Sequence, residues 1–203
     1  MINLSPPKIF TQLFPRLLWR IPNSDNTIYL TFDDGPTQGV TPWVIDTLKK
    51  YNAKATFFCL GKNVEMHPDI FQRIIDEGHG VGNHSYSHLK GWETPIAQYV
   101  QDVDLANDIL NTNLYRPPYG RIRPNQARIL KERYKIVMWS LLSMDYSRWI
   151  TPKRCARMVV NKLHPGAIIV FHDSIKAEEN MRYALVKLLE EVKRRGWGFG
   201  VIE

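Results

Sequence analysis

Two short runs of this sequence carry side chains that could do chemistry. One is the carboxylate pair Asp33-Asp34, set directly before Gly35-Pro36; the other is the imidazole pair His84 and His88, four residues apart. A Gly-Pro turn just after a strand can bring two neighbouring carboxylates to one side, where a continuing strand would send them to opposite faces. A four-residue spacing on a helical turn puts two imidazoles on one side, within reach of a single ion. Two nitrogens and one carboxylate with an open position form the ligand set of catalytic zinc, which lowers the pKa of bound water to about 7. Ser85 excludes the H-E-x-x-H protease pattern. Taken singly, each run has an ordinary reading as well: exposed loops favour Asp before Gly-Pro, and His pairs at this spacing arise by chance.

The elements that must position these groups follow from apolar periodicity. Strands are predicted over residues 28–32, 55–60, 80–84, 114–115, 136–142, 167–171 and 199–202. Thr41-Pro42, Thr94-Pro95 and Thr151-Pro152 read as helix starts, with a capping hydroxyl before proline at the first helical position. Apolar stripes through Ile96, Val100, Val103 and Leu110, and through Leu185, Leu188, Leu189 and Val192, each need a sheet to cover. Repeated strand-then-helix order implies an α/β fold with a parallel sheet, either barrel-like or open and doubly wound. Loops after successive parallel strands converge on one face. There the sequence places Asp33 and Asp34, then His84 and His88, Arg116, Asp145 and His172.

Composition narrows the function classes. The 203 residues, 44% hydrophobic, suit one domain with a sizeable core. The net charge of +7 makes an anionic partner conceivable. The densest basic stretch, from Arg116 to Lys135, reads as a solvated helix face and its loop, without any nucleic-acid motif, so no nucleic-acid partner is expected. It is kept as a steering patch for an acidic glycan. Cys59 and Cys155 read as buried free thiols. No run has the length of a transmembrane segment. Residues 1–27, with Ile9, Phe10, Leu13, Phe14, Leu17 and Leu18 at helical spacing, read as a docking segment rather than a signal peptide. His67, His79 and His164 stand at turns or helix starts and are given no role in chemistry.

Five signatures in order give the chain a resemblance to the NodB-type polysaccharide deacetylases of carbohydrate esterase family 4. They are Thr31-Phe32-Asp33-Asp34-Gly35-Pro36, His84-Ser85-Tyr86-Ser87-His88, Arg116-Pro117-Pro118-Tyr119-Gly120, the segment around Asp145, and Val170-Phe171-His172-Asp173. The resemblance implies a deformed (β/α)7 barrel, the NodB homology domain, over residues 28–203. It also implies roles: Asp34, His84 and His88 as metal ligands, Asp33 as general base oriented by Arg116, the Tyr119 N–H in an oxyanion hole, and His172 as general acid tuned by Asp145. Tyr146 stands where the family usually has Trp, Leu142 where an acidic residue is common, and Val170 where Leu is usual, so the groove departs from the pattern while every reactive group is kept.

The expected function is metal-dependent removal of acetyl groups from N-acetylated sugars of a glycan. The expected ion is divalent, Zn2+ first, with Co2+, Mn2+ or Ni2+ as alternatives. Amide hydrolysis needs an activated water, a stabilised oxyanion and a proton for the leaving amine, and each need has a candidate here. The alternatives are an O-acetyl esterase or small-molecule amide hydrolase on the same fold, and a non-catalytic glycan-binding module. The partner is an acetylated carbohydrate, a monomer is plausible, and without a legible export signal the compartment reads as cytoplasmic.

Overall fold

The computed structural model describes residues 11, 14, 15, 17–22 and 25–203. Its centre is three adjacent parallel strands, β1 (Thr27–Asp33), β2 (Ala55–Cys59) and β7 (Ile168–His172), rich in β-branched and aromatic residues. Such strands are covered on both faces and therefore read as continuous apolar runs. Phe32 stacks on Phe57 at 5.1 Å and on Phe171 at 6.0 Å, tying the three together.

The remaining strands are β3 (Gly80–Asn83), β4 (Leu114–Tyr115), β5 (Lys135–Ile136), β6 (Leu141–Leu142) and β8 (Gly198–Phe199). The sheet order is β5-β4-β3-β2-β1-β7-β6, all parallel, with β8 pairing β1 off this path. It is the curled sheet of a deformed (β/α)7 barrel. Helices join most successive strands, two of them between β2 and β3 and none between β5 and β6: α1 (Thr41–Lys50), α2 (Gly61–Met66), α3 (Pro68–Asp76), α4 (Ile96–Leu110), α5 (Pro124–Leu130), α6 (Pro152–Val160) and α7 (Glu178–Arg194). The predicted stripe on α7 buries Leu185, Leu188, Leu189 and Val192, each contributing about 1.5–3 kcal/mol of apolar burial. Among the described residues, no helix is long and apolar enough to cross a membrane.

Three expectations are corrected. The single strand predicted over 136–142 is two, β5 and β6, on opposite edges of the sheet. Between them the Val137 and Met138 carbonyls accept from the Arg116 guanidinium instead of a neighbouring strand, and Leu18 bridges Val137. The predicted strand 199–202 is seen at Gly198–Phe199. Of the three Thr-Pro starts, only Thr151 caps its helix, accepting from Arg154 N. Thr41 is already helical, and the Thr94 hydroxyl donates to Lys90 O.

Ile9, Phe10 and Leu13 of the N-terminal stripe lie outside the described residues. Leu17 and Trp19 pack on a cluster around Tyr99 and Tyr115, while Leu18 and Ile21 pack on one around Phe58 and Ile168.

Candidate active site

Register decides which groups meet. Asp33 ends β1 and is the register partner of His172, which ends β7. Asn83 ends β3 opposite Tyr115 of β4, so His84 and Arg116 emerge side by side. The backbone holds them there, with His84 N–H donating to Cys59 O at 2.9 Å and Arg116 N–H to Asn83 O at 2.9 Å.

Beyond Asp33 the strand turns sharply. Asp34 has φ +81, the left-handed region that a β-carbon makes costly by about 1–3 kcal/mol. Asn63 Nδ2 donates to the Asp34 carbonyl at 2.7 Å, and Leu60 N–H to the Gly35 carbonyl at 3.0 Å. The turn brings both carboxylates to one cleft of about 410 Å³, shared with His84, His88, Tyr119 and His172.

The two imidazoles also meet, but no helix brings them together. Residues 84–88 form a loop in which Ser85 (φ +68) and His88 (φ +61) are left-handed, and the ring centroids lie 5.1 Å apart. Ser85 N–H donates to Asn83 Oδ1 at 2.7 Å and Ser85 Oγ accepts from His88 N–H at 3.0 Å, so local side-chain hydrogen bonds replace the expected helical turn.

Asp34 Oδ1 lies 3.8 Å from His84 Nε2 and 3.3 Å from His88 Nε2, and the three ligand atoms are all within 4.8 Å of one another. Asp34 Oδ1 is buried yet has no hydrogen-bond partner. A buried carboxylate oxygen without a donor is costly, so its convergence with two imidazole nitrogens fits a cation. Burial pushes the Asp34 carboxyl up, but the imidazoles of His88, His172 and His84 outweigh it and hold it well below the usual range. Burial lowers the His84 pKa to about 4, so this imidazole is neutral and its approach to Asp34 is no ion pair. Its Nδ1 pairs with Arg116 O at 2.8 Å, which leaves Nε2 as the free lone pair facing Asp34.

Arg116 is fully buried, and each of its three guanidinium nitrogens donates. It donates to Asp33 Oδ1 at 2.7 Å, to Thr31 Oγ1 at 2.7 Å and to the Val137 and Met138 carbonyls at 3.2 and 3.0 Å. Its guanidinium also lies 4.0 Å above the Phe58 ring. One charge thereby fixes the Asp33 carboxylate, leaving Oδ2 4.0 Å from His84 Nε2. Pro117 and Pro118 have no N–H, so Tyr119, itself at φ +59, supplies the first backbone donor of the turn after β4. Gly120 at φ +63 packs on Trp139, where a β-carbon would approach to 2.3 Å.

On the other side, Asp145 is buried and grips His172 twice. Its Oδ1 pairs with Nδ1 at 2.8 Å and its Oδ2 accepts from the His172 N–H at 2.8 Å. Burial lowers the pKa of this imidazole, but Asp145, with Asp34 and Asp33, outweighs it and raises the value to about 9. Asn180 Nδ2 donates to the Asp145 carbonyl at 2.9 Å, and the Tyr146 ring stands edge-on to His172 at 4.9 Å.

All eight residues singled out from the sequence thus converge at one end of the sheet. Asp173, the last residue of the fifth signature, is given no role by the sequence; it is buried and bonded to the Gly35 turn. Its position directly after His172 was the available signal. Leu142 and Val170 line the cleft, whereas Trp149 is outside its lining and 79% exposed.

Fold and site together define a parallel α/β barrel whose cleft gathers a carboxylate and two imidazoles beside a second, arginine-held carboxylate. Comparison with known proteins gives the particular family. The sequence model of the polysaccharide deacetylase family matches residues 20–135. A peptidoglycan-N-acetylglucosamine deacetylase of Bacillus cereus is 35% identical over 195 residues, covering 89% of this chain and 88% of that one. The peptidoglycan-N-acetylmuramic acid deacetylase PdaA of Bacillus subtilis is 34% identical, covering 88% and 71%. The crystal structure of the Bc1960 peptidoglycan N-acetylglucosamine deacetylase, in complex with 4-naphthalen-1-yl-N-oxidanyl-benzamide, superposes with a TM-score of 0.89 at 32% identity, covering 97% and 95%. The chain belongs to the polysaccharide deacetylase family.

Proposed function

We propose that the protein is a metal-dependent N-deacetylase acting on N-acetylated sugars of a glycan, with Asp34, His84 and His88 holding a divalent ion, Zn2+ first among the candidates. The observation that carries this reading is the orphaned, buried Asp34 oxygen converging with two imidazole nitrogens beside an arginine-held carboxylate. An ion there supplies Lewis acidity, polarising the acetyl carbonyl and acidifying water.

The chain's own residues do the rest. Arg116 occupies Asp33 Oδ1, so Oδ2 is the oxygen that takes the proton of the attacking water. The Tyr119 N–H donates to the developing oxyanion. His172, with Nδ1 engaged by Asp145, gives a proton from Nε2 to the departing amine. Leu142 and Val170 provide an apolar wall for the acetyl methyl.

A carboxylate-clamped acid matters most for an amine leaving group, which favours amide hydrolysis over the ester-cleaving alternative. A non-catalytic binding module would have no use for the intact set of groups. The reading includes residues 1–27 as a docking segment of the catalytic domain over 28–203, supported by the packing of Leu17, Leu18 and Trp19.

The test is acetate release from N-acetylated glycan oligomers by zinc-loaded protein. Release abolished by a chelator, restored by zinc and absent in Asp33→Asn is expected. Release no greater than that of Asp33→Asn on every acetylated glycan tried would refute the proposal.

A further inference from the structure

Beyond the reacting groups, the cleft carries two more charges, both positive. Arg121, after β4, and Lys176, after β7, line it and are exposed. Each sits over an aromatic ring: the Arg121 guanidinium is 5.0 Å from the Trp92 centroid and Lys176 Nζ is 5.8 Å from that of Tyr146. Among the described residues, neither Arg121 nor Lys176 has a carboxylate within the 4.0 Å of an ion pair. The carboxylates lining the cleft are Asp33 and Asp34, already committed to Arg116 and to the imidazole pair.

The two cation–ring pairs flank the reacting groups. Trp92 and Arg121 come from the loops after β3 and β4, and Tyr146 and Lys176 from those after β6 and β7, on opposite sides of β1 in the sheet. Trp92 is 54% exposed, a large ring left open to solvent. Exposed rings offer a flat apolar surface to the C–H face of a sugar, and a cation held against a ring has lost part of its rotamer freedom before any ligand arrives.

Given the deacetylase reading of this cleft, we infer that it selects a glycan bearing carboxylates beside the acetylated sugar, with Arg121 and Lys176 as the residues that recognise them. The net charge of +7 adds a long-range attraction of the same sign. A carboxylate can come from a lactyl ether or from a uronic acid, and both present the same planar acceptor to Arg and point charge to Lys.

The test compares each of two N-acetylated strands, one with lactyl ether carboxylates and one with uronic acids, against the same strand with its carboxyls reduced to alcohols. Affinity is read by calorimetry on zinc-loaded Asp33→Asn protein, and kcat/KM on zinc-loaded wild type. A carboxylate preference of about tenfold is expected for at least one strand, falling with salt and largely lost in Arg121→Gln/Lys176→Gln. Lys153→Gln/Arg157→Gln, the same charge change on α6, should keep it. The strand that shows the preference identifies the source of the acid. Equal affinity for both reduced and unreduced strands overturns the inference, as does a preference that survives Arg121→Gln/Lys176→Gln. Carboxylate-dependent binding without acetate release would support the inference while overturning the deacetylase reading.

Discussion

Asp173 Oδ1 accepts a hydrogen bond from the Gly35 N–H at 3.1 Å, and the same carboxylate takes the Thr41 hydroxyl on Oδ2 at 2.6 Å. Asp173 N–H in turn donates to Asp33 O at 3.1 Å. The residue after the candidate acid therefore locks the turn that presents the candidate base and metal ligand, so both halves of the site share one junction.

A β-carbon on Gly35 would sit 2.0 Å from Asp173 Oδ2, against a buried group with nowhere to go. Gly35→Ala should cost about 1–3 kcal/mol in urea unfolding, and Asp173→Ala, which strips the Gly35 N–H of its acceptor, a similar amount. Both should weaken zinc binding in calorimetry. Wild-type zinc affinity in folded Asp173→Ala would show that the junction does not set the turn.

His172 is competent as an acid while protonated, and Asp145 raises its pKa to about 9. Activity should fall as pH rises towards that value, with the limb lower in the metal-loaded enzyme because a cation near Asp34 repels the imidazolium. Asp145→Asn removes the charge that raises the pKa, so the limb should move to lower pH and kcat should drop. The linkage to stability has the same sign: with the folded pKa above the unfolded one, the His172–Asp145 contribution is complete below about 6.5 and is lost as pH rises through about 9. Unfolding of wild type and Asp145→Asn across pH 6–10 checks it.

Arg116 is an uncompensated loss waiting to happen. Its removal leaves Asp33 buried without its partner and three other acceptors without a donor, so Arg116→Met should cost about 3–5 kcal/mol. Asp33→Asn keeps shape and should leave the fold intact while lowering kcat about 10²–10⁴-fold. Thermal unfolding and acetate assays on the two variants separate holding the base from being it.

Zinc at about 100 times its Kd should stabilise the protein by about 2.7 kcal/mol. The gain should vanish in His88→Gln and in Asp34→Asn, and be abolished by a chelator in wild type. Melting curves with and without metal measure this without reference to activity.

The reactive groups were legible in the sequence because Asp33-Asp34-Gly35-Pro36 and the His84 to His88 spacing are local, and because strand-helix alternation sends successive strand ends to one face. The central strands were equally legible, since burial on both faces leaves no polar alternation to confuse them. Three things depended on distant residues. Residues 136–142 carry one apolar run, but the Arg116 guanidinium takes the Val137 and Met138 carbonyls and splits it. His84 and His88 meet across a left-handed loop, because Asn83 and Ser85 side chains outcompete helical bonding there. The role of Asp173 is not legible locally, because nothing near it in sequence shows that Gly35 and Thr41, 138 and 132 residues away, hand it their donors. Sequence thus determined which chemical groups the protein owns and the face on which they gather. Tertiary structure decided which oxygen and which nitrogen of each are free, because hydrogen bonds from other strands claim the rest.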